Sequence, residues 1–343
     1  MSAKAGTVVT SREIRLAARP VGAPGPEHFS LATVELSTDL AEGQVLVRNT
    51  WMSVDPYMRG RMDDVESYLP PFALGAALQG SAVGEVIASR AAAVPVGATV
   101  SHFLGWREHA ALDEAAVTVI DPELAPAQAY LGVLGATGLT AYIALTETAP
   151  VRPGDVVFVS GAAGAVGSVA GGLARALGAS RVIGSAGGPV KAGKLLTEFG
   201  FDAAIDYRAG SVAAQLAEAA PEGIDVYLDN VGGDHLEAAL ASIRHDGRIA
   251  LVGAISTYNA TTPQPGPANL FRAAAQQATL RGMLVTHWFD RFADYVPRAA
   301  AWLADGTLTS RETVVEGIEN APAAFLGMMN GANTGKMLVR LGS

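Results

Sequence analysis

The feature that most constrains this chain is a short apolar run that ends in a glycine-rich turn. Val156 to Val159 is followed by Ser160-Gly161-Ala162-Ala163-Gly164-Ala165-Val166-Gly167, and small residues then recur at helical spacing towards Ala176. A parallel strand that turns tightly into a helix directs unpaired backbone N–H groups and the positive end of the helix dipole at whatever lies above the turn. The sequence therefore predicts an anion site suited to a pyrophosphate. The alternative is a glycine-rich turn that only packs helix against strand.

Strands and helices alternate after this turn at the spacing of a doubly wound parallel sheet, which predicts a Rossmann-type α/β domain. The predicted strands are Arg181–Ser185, Ala203–Asp206 and Ile224–Leu228, and the predicted helices lie around Leu195–Phe199 and over Ser211–Ala219. The proline-rich stretch 262–267 is unsuited to a helix or a central strand and predicts an exposed loop.

The first 130 residues have a different pattern. Short apolar runs broken by glycine and proline are typical of a compact β-rich unit. They are Val45–Arg48, Val83–Ala88, Ala98–Ser101 and Val117–Ile120. At the other end of the chain, a predicted helix over Ala323–Asn330 is followed by a predicted strand over Gly335–Leu341. That strand has no evident partner in the helix-rich stretch before it, so we expect it to return to the β-rich unit. The expected domains are 1–130, β-rich; 131–311, dinucleotide-binding; and 312–343, a return to the first.

Composition excludes several classes of function. The net charge of −9 and the lack of a basic run disfavour binding to nucleic acid. The sequence contains no cysteine, which excludes disulfides, thiolate catalysis and zinc sites with sulfur ligands. The six histidines show no spacing that would bring two rings to one helix face, so we expect no metal. Neither a signal peptide nor an apolar run of about 18 residues is evident, and we expect a cytoplasmic protein without membrane contact.

The end of the second predicted strand indicates which dinucleotide the domain would bind. An acidic residue at this place usually holds a free adenosine 2′-hydroxyl. Here the sequence is Ser185-Ala186-Gly187-Gly188, with no carboxylate until Glu198. Lys191 and Tyr207 could instead bind a 2′-phosphate, which favours NADP over NAD. The alternatives are a solvated lysine and a packing tyrosine.

Several stretches together resemble the zinc-independent medium-chain dehydrogenase/reductases, in the branch of prostaglandin reductase (leukotriene B4 12-hydroxydehydrogenase), plant alkenal double-bond reductases and bacterial curcumin reductases. They are Ser53–Met62, Gly138–Tyr142, Ala162–Gly167, Asp229–Gly233, Gly253–Asn259 and Asn333–Lys336. The resemblance implies a GroES-like β-rich catalytic domain completed by the C-terminal strand. It also implies NADPH-dependent reduction of the carbon–carbon double bond of an α,β-unsaturated aldehyde or ketone, and a homodimer.

The resemblance also implies roles for individual residues. Ala163, Gly164, Ala165 and Val166 would lie under the pyrophosphate, while Lys191 and Tyr207 would meet the 2′-phosphate. Asn230 and Asn333 would hold the cofactor near its phosphates and nicotinamide end, with Ile255 and Ser256 beside them. Further cofactor contacts would come from Gly167, Gly187 and Tyr258. Tyr57 and Tyr258 would face the substrate. The chain departs from the family at Gly135-Ala136-Thr137-Gly138, where Gly-Met-Pro-Gly is usual, and at His109, where tyrosine is usual.

Hydride addition to an enone places negative charge on the carbonyl oxygen, and a phenol can donate a hydrogen bond to it. Tyr258 is the first candidate, to polarise that oxygen or to deliver a proton to the α-carbon. The alternative is a loop tyrosine bonded to backbone or solvent, and for Tyr57 the alternative is packing. Asn230 and Asn333 could instead cap turns beside glycine. Arg59 and Arg61 could form ion pairs with Asp55 or Asp63.

Two other functions stay open at this point. A quinone reductase of the same superfamily would share the cofactor and fold, and a non-enzymatic NADPH-binding protein would bind without turnover. The sequence does not choose among enals and enones. Phe72, Trp288 and Phe289 lie in predicted loops and favour an apolar substrate.

Overall fold

A computed structural model of the chain describes residues 8–342. The elements, in chain order, are β1 Val8–Leu16, β2 Phe29–Ser37, β3 Gln44–Ser53, α1 Met58–Arg61, β4 Ala82–Ser89, β5 Thr99–His102, β6 His109–Asp113, β7 Thr118–Val119, α2 Ala136–Ile143, β8 Val156–Val159, α3 Ala165–Ala176, β9 Arg181–Ala186, α4 Pro189–Thr197, β10 Ala203–Asp206, α5 Val212–Ala219, β11 Ile224–Asp229, α6 Gly233–Ser242, β12 Ile243–Leu251, α7 Phe271–Ala275, β13 Thr279–Gly282, α8 Phe292–Ala304, β14 Glu312–Glu316, α9 Ala321–Met329 and β15 Lys336–Arg340. Short 3-10 turns connect several of them, and a π-helical turn, Ala144–Thr148, extends α2.

Contacts divide the described residues into two compact units. We call them the β unit, residues 8–131, 313–332 and 337–342, and the parallel-sheet unit, residues 132–312 and 333–336. The short segment 333–336 thus packs with the parallel sheet, although the residues on both sides of it belong to the β unit.

The β unit contains a mainly antiparallel sheet in the order β14-β15-β3-β4-β5-β7, with β6 paired to β3 and a separate β1–β2 hairpin. Its C-terminal strand pairs antiparallel with β3, Leu338 lying opposite Ser53. This confirms the prediction that the last strand returns to the N-terminal β-rich region. Buried apolar residues from both ends of the chain, including Met58, Trp106 and Phe325, form a common core. The strand returns because its alternate side chains complete that core.

The parallel-sheet unit has the strand order β10-β9-β8-β11-β12-β13, with every neighbouring pair parallel. From β8 the chain runs outwards through β9 to β10, and it then returns to the other side of β8 as β11. This order has the topological switch point of a Rossmann-type fold, between β8 and β11. Val157, Phe158 and Val159 are completely buried in β8, as expected for a central parallel strand. The predicted fold class is confirmed.

One predicted helix lies elsewhere in the structure. The sequence pattern placed a helix around Leu195–Phe199, whereas α4 runs from Pro189 to Thr197. Gly188 adopts a φ of 90° and Pro189 occupies the first turn, where its missing N–H costs nothing. The helix therefore begins just after the end of β9, and Phe199 lies beyond it in the core. The stretch 262–267 forms neither helix nor strand, as predicted.

Candidate functional site

The glycine-rich turn after β8 leaves backbone donors available at the start of α3. Among residues 8–342, no carbonyl accepts a hydrogen bond from the N–H groups of Ala165, Val166 or Gly167. Gly161 has a φ of 58°, and a Cβ on Gly167 would overlap the Gly161 carbonyl oxygen. Both glycines are therefore required for the tight turn. Three donors and the helix dipole point the same way, which is the arrangement that binds a phosphate.

The segment 333–336 joins this turn. The Gly335 N–H donates to the Ala163 carbonyl oxygen at 2.8 Å, and the Asn333 side chain donates to the Gly335 carbonyl oxygen at 2.7 Å. Asn333 is buried, and its amide nitrogen caps the turn that contains it, which is the alternative role given for this residue above. Its side-chain oxygen is still available for a ligand. The structure thus brings Asn333 to the glycine-rich turn, 170 positions away in the sequence.

A second group of predicted residues meets at the ends of β9 and β10. The Tyr207 hydroxyl lies 2.5 Å from the position that a Cβ on Gly187 would occupy, so a larger residue there would displace the Tyr207 side chain. Asp206 ties the two strand ends together, because its Oδ1 accepts the N–H of Gly188 at 2.7 Å. Burial, with Arg208 and Lys194 nearby, lowers the pKa of Lys191. Positive charge therefore accumulates at this edge of the sheet.

The third group lies where β11 ends, across the switch point from β8. The Asn230 side chain donates to the Ser160 carbonyl oxygen at 2.7 Å, and the Asn230 N–H donates to the Ser160 hydroxyl at 2.9 Å. The N–H groups of Ile255 and Ser256 donate to the carbonyls of Asn230 and Val231, at 3.3 and 3.2 Å. Asn230, Ile255 and Ser256 therefore form one continuous surface with the turn after β8.

Sequence reasoning assigned no role to Asp229, which organises this surface. The carboxylate is 1% exposed, and its Oδ1 accepts hydrogen bonds from the Tyr227 hydroxyl at 2.7 Å and from the N–H groups of Val231 and Gly232 at 2.9 and 2.8 Å. Burial and the Asp229 charge raise the pKa of the Tyr227 phenol well above its usual value, so it stays a donor. A carboxylate at the end of an apolar strand, directly before Asn-Val-Gly-Gly, was the available signal.

Tyr258 follows β12 and is half-buried. Its hydroxyl oxygen accepts the N–H of Ala254 at 3.3 Å and lies 3.3 Å from the position of a Cβ on Gly253. Among residues 8–342 the phenol proton has no acceptor. The side chain can therefore donate a hydrogen bond to a ligand.

Tyr57 belongs to the β unit and directly precedes α1. Burial first, and then the Asp55 charge, raise the pKa of its phenol well above the usual value, while Arg61 acts in the opposite direction. Within the described part of the chain, Arg61 forms an ion pair with neither Asp55 nor Asp63. Its guanidinium donates to the carbonyl of Pro70 and the side chain of Gln79, and it lies over the Phe72 ring. Arg59 does form the predicted ion pair with Asp63, at 2.8 Å.

Comparison with known proteins defines the class. Residues 12–120 match the family model described as the N-terminal domain of oxidoreductase, and residues 165–302 match the model described as zinc-binding dehydrogenase. Despite the second description, the described residues offer no zinc site. The sequence has no cysteine, and residues 8–342 bring together no three His, Asp or Glu side chains that could hold a metal ion. Within the same residues, no helix is both long and apolar enough to cross a membrane.

Individual relatives match nearly the whole chain and show which proteins it is similar to. The chain is 43% identical to a putative NADP-dependent oxidoreductase of Bacillus subtilis, covering 97% of this chain and 98% of the relative. It is 36% identical to the NADPH-dependent curcumin reductase of Escherichia coli, covering 95% of each, and 38% identical to prostaglandin reductase 1 of Sus scrofa, covering 93% of this chain and 96% of that protein. The crystal structure of CurA from Vibrio vulnificus in complex with NADPH matches with a TM-score of 0.92 at 37% identity, over 97% of this chain and 99% of that one.

The chain therefore belongs to the zinc-independent medium-chain dehydrogenase/reductase family, in the branch that includes curcumin reductase and prostaglandin reductase. It is an oxidoreductase whose cofactor is NADPH, as the sequence predicted.

Proposed function

We propose that this enzyme reduces the carbon–carbon double bond of an α,β-unsaturated aldehyde or ketone. The observation that carries the proposal is the Tyr258 phenol, half-buried beyond the carboxyl end of β12 with its proton unused among residues 8–342. Ligands of open parallel sheets bind at this end of the strands. Relatives named curcumin reductase and prostaglandin reductase 1 match 95% and 93% of the chain and support this reaction class.

The residues around the switch point fit the cofactor. The free N–H groups of Ala165, Val166 and Gly167, with Ala163 and Gly164 in the turn before them, would bind the pyrophosphate. Lys191 and Tyr207, beside Gly187, would bind the 2′-phosphate. The surface formed by Asn230, Ile255 and Ser256, together with Asn333, would hold the ribose hydroxyls and the carboxamide, for which amide groups are suited.

The protein's part in the reaction follows from the charge that develops. When bound, NADPH supplies a hydride, which adds to the β-carbon of the substrate and leaves an enolate. The Tyr258 hydroxyl would donate a hydrogen bond to the enolate oxygen, where charge is greatest, or pass its proton to the α-carbon. Tyr57 would contact the substrate with a phenol that burial keeps protonated. Its apolar ring suits an apolar enone.

Replacement of Tyr258 with phenylalanine tests this role. Loss of one hydrogen bond to a developing oxyanion should lower kcat by about 10- to 100-fold, while the Kd for NADPH stays within about twofold. The assay is oxidation of NADPH with a panel of enals and enones, each also run with NADH. Tyr130→Phe is the matched control, because the Tyr130 hydroxyl donates to the Asp121 carbonyl and to nothing else among the residues that the structure describes.

Two outcomes would contradict the proposal. Unchanged kcat in Tyr258→Phe would remove the phenol from the reaction. Turnover of quinones without turnover of any enone would assign the chain to the quinone reductases instead, and binding of NADPH without either activity would leave a non-enzymatic role.

We further propose that the enzyme is a homodimer. In the described residues β13 pairs only with β12, which leaves the outer backbone edge of Thr279–Gly282 unpaired. Phe271, in the preceding helix, is 83% exposed. An open strand edge beside an exposed aromatic ring favours pairing with a second copy. Sedimentation of the wild type and of Phe271→Lys tests this, and a monomeric wild type would refute it.

A further inference from the structure

An exposed arginine lies beside the proposed 2′-phosphate position. Arg208 directly follows Tyr207, and its Nε lies 3.0 Å from the position that a Cβ on Gly187 would occupy. The Tyr207 hydroxyl lies 2.5 Å from the same position, and the guanidinium carbon is 5.9 Å from the centre of the Tyr207 ring. Two polar side chains therefore converge on Gly187, which has no side chain of its own.

The charges around Arg208 leave this site positive. Among residues 8–342 no carboxylate lies within ion-pair distance of its guanidinium. The nearest acid in the sequence, Asp206, uses Oδ1 to accept the backbone N–H groups of Gly188 at 2.7 Å and Arg208 at 3.0 Å. On the facing helix α4, Lys191 and Lys194 add two more cations, and Lys191 is close enough to Arg208 for its pKa to be lowered by that charge. The Oδ1 of Asp206 is thus already engaged by two backbone N–H groups and not by the Arg208 guanidinium.

We propose that Arg208 is a further ligand of the cofactor's 2′-phosphate, and that it helps to set the preference for NADPH over NADH. This inference rests on the proposed position of that phosphate beside Lys191 and Tyr207. A guanidinium presents two parallel N–H donors that match two phosphate oxygens, which a lysine cannot do. NADH carries a hydroxyl at the same place, so removal of Arg208 should weaken the binding of NADPH alone.

The test measures binding as well as turnover. Calorimetric titration with adenosine 2′,5′-bisphosphate and with 5′-AMP isolates the contribution of the 2′-phosphate. For Arg208→Gln, the Kd for the bisphosphate should rise by about 5- to 20-fold, in keeping with one charge-assisted contact at an exposed site. The Kd for 5′-AMP should stay within about twofold. Arg208→Lys keeps the positive charge but loses the two parallel N–H donors of the guanidinium. Its Kd for the bisphosphate should therefore lie between those of wild type and Arg208→Gln.

Arg181→Gln is the matched control. Arg181 is also exposed, but it begins β9 and so lies at the opposite end of the sheet. The Arg181→Gln substitution removes the same charge without touching the site.

Lys191→Ala separates this inference from the proposed cofactor site. If Lys191→Ala weakens bisphosphate binding and Arg208→Gln does not, Arg208 is no ligand. If neither weakens it, the proposed position of the phosphate is itself wrong. An equal loss in Arg181→Gln would show only a long-range effect of net charge.

Discussion

Replacement of Asp229 with alanine should destabilise the protein strongly, although Asp229 touches no proposed substrate. Its Oδ1 accepts the hydroxyls of Tyr227 at 2.7 Å and Ser160 at 3.2 Å, and the N–H groups of Val231 and Gly232 at 2.9 and 2.8 Å. The side chain is 1% exposed. Each buried donor left without an acceptor costs about 1–3 kcal/mol. Water entering the vacated space offsets part of this sum, so we expect a loss of about 3–5 kcal/mol in the free energy of unfolding.

Two milder substitutions should cause smaller losses in the free energy of unfolding. Asp229→Asn keeps an acceptor oxygen but loses the charge, which should cost about 1–2 kcal/mol. Tyr227→Phe removes one donor and leaves the carboxylate its backbone partners, which should cost about 1 kcal/mol. Urea unfolding followed by circular dichroism gives the free energies. Amide hydrogen exchange at Val231 and Gly232, measured by mass spectrometry, shows whether the turn itself opens.

The same variants should weaken NADPH binding in the same order, because the turn they loosen carries Asn230. An Asp229→Ala protein within about 1 kcal/mol of wild type would refute the reasoning, since two hydroxyls and two backbone N–H groups would then have lost this acceptor without cost. Exchange protection at Val231 and Gly232 that is unchanged in Asp229→Ala would refute it independently.

Two other predictions follow from side-chain geometry. The buried His102 ring is held neutral, with Nε2 2.7 Å from the Asn49 Oδ1 and Nδ1 accepting the Leu104 N–H at 3.0 Å, and burial lowers its pKa from 6.5 to about 4. The unfolded chain therefore takes up a proton that the folded chain does not. Stability present above pH 6.5 should fall by up to about 3 kcal/mol towards pH 4. The free energy of unfolding, measured with urea over this pH range, should depend less steeply on pH in His102→Gln than in wild type. An identical pH dependence would contradict the assignment of this effect to His102. Gly187→Ala places a Cβ 2.5 Å from the Tyr207 hydroxyl. It should raise the Kd for adenosine 2′,5′-bisphosphate about tenfold with little change for 5′-AMP, whereas equal affinity would show that Tyr207 is not at the phosphate.

Local patterns were enough to predict the elements around the glycine-rich turn. The strand Val156–Val159 and the helix ending at Ala176 occur as the sequence indicated, because the apolar run and the small residues fix both locally. The return of β15 to β3 followed from a simpler argument, that a strand needs a partner. The apolar residues Leu195 and Phe199 lie at and beyond the C-terminal half of α4, whereas Pro189 marks where the helix begins, so apolar spacing alone predicts the helix too far along the chain.

Pairings between distant residues could not be predicted in the same way. Asp229 looks like the end of a strand until its turn is seen to fold back onto its carboxylate. His102 and Asn49 are 53 residues apart, and nothing local in the sequence relates them. Arg208 resembles any surface arginine, and only the convergence of strand ends at Gly187 makes its position meaningful. These side chains depend on tertiary packing, which hydrophobic periodicity does not encode.

The central claim is that hydride passes from NADPH to the β-carbon of a conjugated carbonyl compound. The most direct measurement supplies NADPH deuterated at the transferring position of the nicotinamide, with an enone such as a phenyl-substituted butenone, and locates the label in the product by NMR. The account predicts a saturated ketone with deuterium on the carbon β to the carbonyl. An allylic alcohol with deuterium on the former carbonyl carbon would contradict it.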